Sequence, residues 1–311
     1  MTPLYITEAE VARLVTIDDA LAALEACFAA WREKTTVNLP RQRAVLAGAA
    51  FNLMGATHGG HYGMKAYLGG RGYHVMLYSA DSGTLLAVIE ANLASQLRTG
   101  AASGVATRVL ANPDAARLAV LGSGKQARAQ VLAVCAVRKI REIAVFSPTA
   151  ENRAAFARSI ETETGVATRA AASGESCVDG ADVVVAITKA AEPVCRAQWL
   201  KPGVHVNGAG ANAANRRELD AETVLAAAVR ATDHRAQAQV EAAEFRDLVA
   251  AGRLGWPDIV ELGDLVTGRA PGRRAATDIT LFKSLGIALE DIAFAEVIYR
   301  KAKEAGVGAK M

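Results

Sequence analysis

The chain has 311 residues, which suggests roughly two domains, each able to bury its own core. It is rich in Ala and Gly and poor in aromatics, as ordinary globular proteins are. Its net charge of +3 comes from Lys and Arg spread along the chain, with no basic run, so a nucleic-acid-binding arm is excluded.

The opening "MTPLYITEAE" has no basic start and no apolar stretch, so no secretory signal is expected and the protein is expected in the cytoplasm. No apolar run reaches ~18 residues, so no membrane partner is expected. Thr7 with Glu10 resembles a capping box ahead of a short helix. In "TIDDALAALEACFAAWREK", Ile17, Leu21, Leu24, Phe28 and Trp31 recur at helical spacing. From Arg41 to Ala91 the period shortens, and "RAVL", "AFNLM", "GMKAYL", "HVMLYS" and "TLLAVIEA" read as strands of an antiparallel sheet. "NLASQLRTGAASGVATRVLA" reads as a helix with a small-residue face, broken at Asn112-Pro113-Asp114.

Beyond Pro113, strands alternate with helices, which points to a parallel doubly wound sheet. "RLAVLG", "REIAVFS", "VATRA", "ADVVVAI", "GVHVNGAG" and "AVRATD" are the expected strands. "GKQARAQVLAVCAV", "ENRAAFARSIETET", "EAAEFRDLVAAGRL" and "DIVELGDLVTG" are the expected helices, and a last long helix runs from near Leu285 to near Ala305. The fold class is therefore α/β, a Rossmann-type sheet with an added α+β domain. The expected division is 1–112 for the α+β domain and 113–284 for the parallel sheet. The four cysteines, Cys27, Cys135, Cys177 and Cys195, form no CxxC pair and are expected as buried thiols rather than disulfides or metal ligands. His58 and His61 in "THGGHYG" lack a third ligand, so a Gly-rich hairpin is expected there and no metal site.

"LAVLGSGKQARAQ" carries the chemistry of the second half. A P-loop would need Gly where Ala119 stands, and Ser or Thr where Gln126 stands. The dinucleotide pattern G-x-G-x-x-G/A fits Gly122, Gly124 and Ala127, after a strand and at the start of a helix. Gly122 permits the turn, Gly124 admits the pyrophosphate, and Ala127 lets helix and strand pack closely. Lys125 and Gln126 fall within the same phosphate-facing loop. An acid that would grip a ribose 2′-OH is missing after "IAVFS"; Ser147, Thr149 and Arg153 stand there instead. That set favours NADP(H) over NAD(H), although Ser147 and Thr149 are also good helix caps.

Taken in order, "LPRQRAVL", "YGMKAY", "LLAVIEANLASQLRTGAASGVATRVLA", "LAVLGSGKQARAQ", "LKPGVHVNGAGANAANRRELD", "VELGDLVTGR" and "ITLFKSLGIALEDIA" resemble the ornithine cyclodeaminase/mu-crystallin family over nearly the whole chain. The resemblance implies a substrate-binding and dimerisation domain, a nicotinamide domain, and a final helix (285–311) that returns to the first domain. It implies a small α-amino or α-imino acid as substrate and a homodimer. Lys65 matches the lysine that faces the substrate, and Arg98 the arginine beneath substrate carboxylate and nicotinamide. Arg41 and Arg43 both match a further carboxylate-binding arginine, and Leu285 a residue beside the substrate. Thr188, Ala209, Gly210, Ala211, Arg216 and Ser284 match positions lining the cofactor. At the catalytic position where cyclodeaminases of the family carry an Asp base, this chain has Asn212, and an amide takes up no proton at neutral pH.

The expected function is therefore NAD(P)-dependent hydride transfer to or from a small α-imino or α-amino acid, as in a ketimine reductase or amino-acid dehydrogenase. The alternatives are an ornithine cyclodeaminase, making proline and ammonia with NAD, and a nucleotide-dependent small-ligand binder of the crystallin type.

Overall fold

The computed structural model describes residues 2–31, 33 and 36–311. The chain divides into two compact units, Met1–Arg98 with Gly286–Met311, and Thr99–Leu285.

The first unit opens with β1 (Leu4–Ile6), α1 (Glu8–Leu14) and α2 (Ile17–Ala29). Thr7 and Glu10 form the expected capping box, and Thr16 with Asp19 forms a second one ahead of α2. The end of the expected helical stretch, at Arg32 and Lys34, lies outside the described residues. Five strands follow: β2 (Val37–Leu46), β3 (Ala49–His58), β4 (His61–Leu68), β5 (Arg71–Ser79) and β6 (Leu85–Glu90). His58 and His61 flank the Gly59-Gly60 hairpin, where both glycines take positive φ, as a tight turn between twisted strands requires. Among the described residues the sheet has seven strands in the order Ala309–Lys310, β1, β6, β5, β4, β3, β2. It is antiparallel except where β1 runs parallel to β6.

The final helix, Ala288–Ala305, packs across the inner face of β2 to β6 and against α2. Gly63 allows the approach, since a Cβ there would lie 2.7 Å from Ile292 Cδ1 and 2.3 Å from the Met76 carbonyl. The outward face at the β2 edge is apolar and exposed: Val37, Leu39, Phe51, Leu53 and Met64 share it by register.

Between β6 and the second unit runs α3 (Asn92–Leu110). Sequence composition places the break at Asn112-Pro113, but the units divide at Arg98/Thr99, inside this helix. The small residues explain the difference. From Thr99 onward they let the helix lie directly on α4 (Ala127–Val137), so close that a Cβ on Gly100 would meet the Ala129 carbonyl at 2.3 Å. The second half of α3 is thereby part of the core that Pro113 only follows.

The second unit is built on β7 (Arg117–Leu121), β8 (Glu142–Phe146), β9 (Ala167–Ala170), β10 (Val183–Ala186), β11 (His205–Gly208), β12 (Val229–Thr232), β13 (Ile259–Glu261) and β14 (Thr280–Lys283). All described pairings are parallel, in the order β13-β12-β14-β11-β10-β7-β8-β9. Winding reverses between β7 and β10, the switch point outside which such sheets bind ligands. Strand alternation feeds two cores. Leu118, Val120, Val183 and Val185 face one, and Ala119, Leu121, Val184 and Ala186 face the other.

Two elements depart from expectation. "DIVELGDLVTG" begins as β13 beside β12 and becomes helical only from Leu262 to Val266. "TLFK" forms β14, four buried residues seated between β11 and β12. Both strands are too short for a period of two to register, and sheet pairing decides them.

Candidate active site

In the first unit, three buried cations gather near two carboxylates, and Lys65 and Arg98 bond them directly. Arg41 on β2, Lys65 on β4 and Arg98 on α3 are all buried, as are Glu290 and Asp291 at the start of the final helix. Lys65 Nζ lies 2.8 Å from Asp291 Oδ1, and Arg98 Nε 2.9 Å from the same oxygen. Arg98 Nη1 donates to Glu290 Oε2 at 2.7 Å. Arg41 Nη2 donates to the Gly286 carbonyl at 2.6 Å. Gly286 itself has φ +70°, and a Cβ on it would press on Arg98 Nη1 at 2.5 Å, so the residue must be glycine for the arginine to stay where it is. The stacked rings of Tyr67 and Tyr73, centroids 4.6 Å apart, each lie 5.6 Å from Lys65 Nζ.

Counted as ions, three cations face two carboxylates, a surplus of one positive charge suited to a substrate carboxylate. Burial, and then the positive charge of Arg98, bring the Lys65 ammonium down from an ordinary 10.5 to about 7 despite Asp291. For Arg98, burial acts against the charge, but Asp291 and Glu290 outweigh it and raise the guanidinium above its usual range. Arg43 is exposed and donates to its cross-strand partner Asn52 at 2.9 Å, so burial separates it from Arg41.

In the second unit, the loop after β7 makes a cradle. Gly122 has φ +121°, and a Cβ there would lie 2.4 Å from the Ile187 carbonyl. A Cβ on Gly124 would meet nothing within 4 Å, so the space above it is open to a ligand. Ala127, fully buried, starts α4 and packs with Val120 and Ile187. Gln126 occupies the helix N-cap without a side-chain capping bond; Ala127 N donates to the Gly124 carbonyl, and the N–H groups after it are placed to meet an anion. Its buried Oε1 also has no partner among the described residues. Lys125 is exposed beside it. These features fit a dinucleotide pyrophosphate.

At the end of β8, Ser147 Oγ receives a hydrogen bond from Ser123 Oγ at 2.8 Å. Arg153 donates to the Ser147 carbonyl at 3.0 Å and lies over the Phe146 ring. Thr149 holds the N-cap position of the helix Ala150–Thr164 but makes no capping hydrogen bond. Thr188 follows β10, while Ala209, Gly210, Ala211, half-buried Asn212 and Arg216 follow β11. Ser284 and Leu285 follow β14 and are buried. Leu285 N donates to Asp233 Oδ2 at 2.7 Å, and Ser284 Oγ has no partner among the described residues. The expected cofactor residues thus collect at the C-terminal edge of the parallel sheet.

Sequence reasoning missed Glu290 and Asp291, whose signal is a pair of acids interrupting the apolar run "LGIALEDIAFA". It also missed the Tyr67–Tyr73 pair and Glu218. His205, by contrast, is a satisfied core residue. It contacts Thr280 Oγ1 and Asn207 Oδ1, and burial drives its pKa down to about 3. No helix among the described residues is long and apolar enough to cross a membrane.

A Rossmann-type sheet with a phosphate cradle, joined to a unit bearing a buried cation cluster, defines a class of nicotinamide-dependent α/β proteins. The chain belongs to the ornithine cyclodeaminase/mu-crystallin family, whose model matches residues 1–306. It is 35% identical to a Delta(1)-pyrroline-2-carboxylate reductase of Bacillus cereus, over 76% of this chain and 73% of the relative. The structure resembles an archaeal alanine dehydrogenase dimer with bound NAD, at a TM-score of 0.94 and 29% identity, covering 100% of this chain and 99% of that one. It also resembles the Thermococcus litoralis Delta(1)-pyrroline-2-carboxylate reductase in complex with NADH and L-proline, at a TM-score of 0.93 and 27% identity, covering 99% and 100%.

Proposed function

We propose that the protein is an NAD(P)H-dependent reductase of small α-imino acids, with the reverse reaction an α-amino-acid oxidation. The observation that carries this reading is the buried cluster of Arg41, Lys65 and Arg98 with its surplus positive charge. Arg41 and Arg98 hold the substrate carboxylate, and Leu285 borders the substrate. Lys65 hydrogen-bonds the substrate nitrogen. A dinucleotide held by Gly122 to Ala127, Thr188, Ala209 to Ala211, Arg216 and Ser284 would supply the hydride. With hydride so supplied to the imine carbon, the C=N bond would become a single bond, and Lys65 would give its proton to the nitrogen.

Ser147, Thr149 and Arg153 make NADP(H) the preferred dinucleotide, because they offer hydroxyls and a cation where an acid would repel a 2′-phosphate. The outward apolar face of β2 to β4 pairs two copies into a homodimer, in keeping with the dimeric archaeal neighbour. Asn212 speaks against cyclodeamination, since it cannot serve as a base.

The deciding experiment is a panel of cyclic and linear α-imino acids assayed with NADH and NADPH, alongside ornithine with NAD+ assayed for proline. Turnover of imino acids is expected. Strong proline formation from ornithine overturns the reading in favour of a cyclodeaminase, and no turnover of any substrate favours a ligand-binding role.

A further inference from the structure

One side chain ties together the loops that follow β10 and β11. Glu218 is fully buried in the turn beyond β11. Its Oε1 accepts from Thr188 N at 2.5 Å and Thr188 Oγ1 at 2.9 Å. Its Oε2 accepts from Gly210 N at 2.6 Å and Ala211 N at 2.8 Å. Its own N–H donates to Glu244 Oε1 at 3.0 Å, and its carbonyl accepts from Val194 N and Cys195 N. Glu244 Oε1 in turn lies 3.2 Å from Lys283 Nζ, in a buried ion pair at the end of β14. The C-terminal ends of three neighbouring strands therefore converge on this residue.

The chemistry at the site requires a carboxylate. All four partners donate, and only an acid accepts at both oxygens; an amide would turn its NH2 against N–H groups. The space is equally restrictive. A Cβ on Gly210 would stand 2.3 Å from both N and O of Thr188 and 2.6 Å from Glu218 Oε1. Neither loop can shift without releasing these bonds.

In a doubly wound sheet, the half that begins at β7 meets the adenylate side of a dinucleotide, and the half that begins at β10 meets the other mononucleotide. We propose that Glu218 is a positioning residue that shapes the nicotinamide half of the cofactor site by clamping the Thr188 loop to the Gly210-Ala211 loop. This rests on the dinucleotide reading above. The clamp acts through backbone position rather than by touching the cofactor, so its loss falls on one half of the ligand. The cradle at Gly122 packs on the Ile187 carbonyl, which precedes Thr188, but Glu218's side chain bonds only Thr188, Gly210 and Ala211, not the cradle or the Ser147–Arg153 corner.

The test compares wild type with Glu218→Gln, Glu218→Asp and the milder Thr188→Val, using the full chain. Each is titrated with the reduced dinucleotide that wild type binds more tightly, and with the matching ADP-ribose or 2′-phospho-ADP-ribose, which lacks nicotinamide. Glu218→Gln is expected to weaken the intact dinucleotide by about tenfold or more while ADP-ribose affinity changes by less than about twofold. Glu218→Asp should recover part of the loss, and Thr188→Val should show a smaller loss with the same selectivity. If Glu218→Gln does not fold, the Glu218→Asp ratio decides, because Asp keeps the charge but shortens the reach to the Thr188 and Gly210 loops. Unchanged dinucleotide binding, or an equal loss for both ligands, overturns the proposal. Wild type that binds neither ligand overturns instead the dinucleotide reading on which it rests.

Discussion

Lys65 and Arg98 donate to one and the same oxygen, Oδ1 of Asp291, at 2.8 and 2.9 Å. The arrangement places an ammonium beside a guanidinium that never loses its charge, in a setting closed to water. Lys65 can therefore release its proton near neutral pH, where an ordinary lysine would not, and its protonation state becomes the variable of the site.

The first prediction concerns pH. In the proposed reaction, imine reduction needs Lys65 charged, and its pKa is lowered to about 7. The kcat/KM for reduction should be flat below that value and fall as pH rises through it. Amino-acid oxidation needs the neutral amine and should rise through the same point. Lys65→Arg stays charged, so it should flatten both profiles and slow both directions. Asp291→Asn removes a negative charge that raises the Lys65 pKa, so it should move both limbs to lower pH, by about one unit or more. Full pH–rate profiles in both directions check this, and unmoved limbs would exclude Lys65 as the titrating group.

The two glycines of the cradle should fail differently. Gly122→Ala adds a Cβ 2.4 Å from the Ile187 carbonyl at a φ of +121°, so melting temperature and dinucleotide binding should both drop, with a strain cost of about 1–3 kcal/mol. Gly124→Ala meets no protein atom within 4 Å, so it should leave the melting temperature unchanged and weaken only dinucleotide binding. Thermal melts and fluorescence titrations separate the two outcomes.

Arg41 and Arg43 should divide just as sharply. Arg41→Met removes a buried guanidinium, and the KM for an α-imino acid should rise by about a hundredfold, as loss of a strong charged hydrogen bond implies. Arg43→Met removes an exposed one that binds Asn52 and should change KM less than about threefold. Equal effects would return both residues to candidacy.

Cofactor choice should respond to Arg153. On the NADP(H) reading proposed above, Arg153→Met is expected to weaken NADPH by about tenfold and NADH far less, since NADPH alone carries a 2′-phosphate for the guanidinium to meet beside the Ser147 carbonyl. Dissociation constants for the two reduced cofactors measure the ratio directly.

Much of this was legible in the sequence because the responsible signals are local. Gly122, Gly124 and Ala127 lie within one turn, and Thr7 with Glu10 span one capping box. The strands of the first sheet alternate long enough to be counted. What stayed hidden depends on distant residues meeting. Asp291 is 226 positions from Lys65, and nothing near either shows the pair. Glu218 reaches 30 positions back to Thr188. The pairing of β14 between β11 and β12 likewise follows from sheet order, which the four residues Thr280–Lys283 cannot encode. The choice between Arg41 and Arg43 turned on depth beneath the surface, to which strand parity is blind.

The uncovered row of Val37, Leu39, Phe51, Leu53 and Met64 bears on how the molecule will behave in a calorimeter. If two copies pair through that row, as proposed above, unfolding must also separate them, and the melting point becomes a function of dilution by mass action. A dilute sample should melt below a concentrated one, and an Asp at Leu39 should erase the difference.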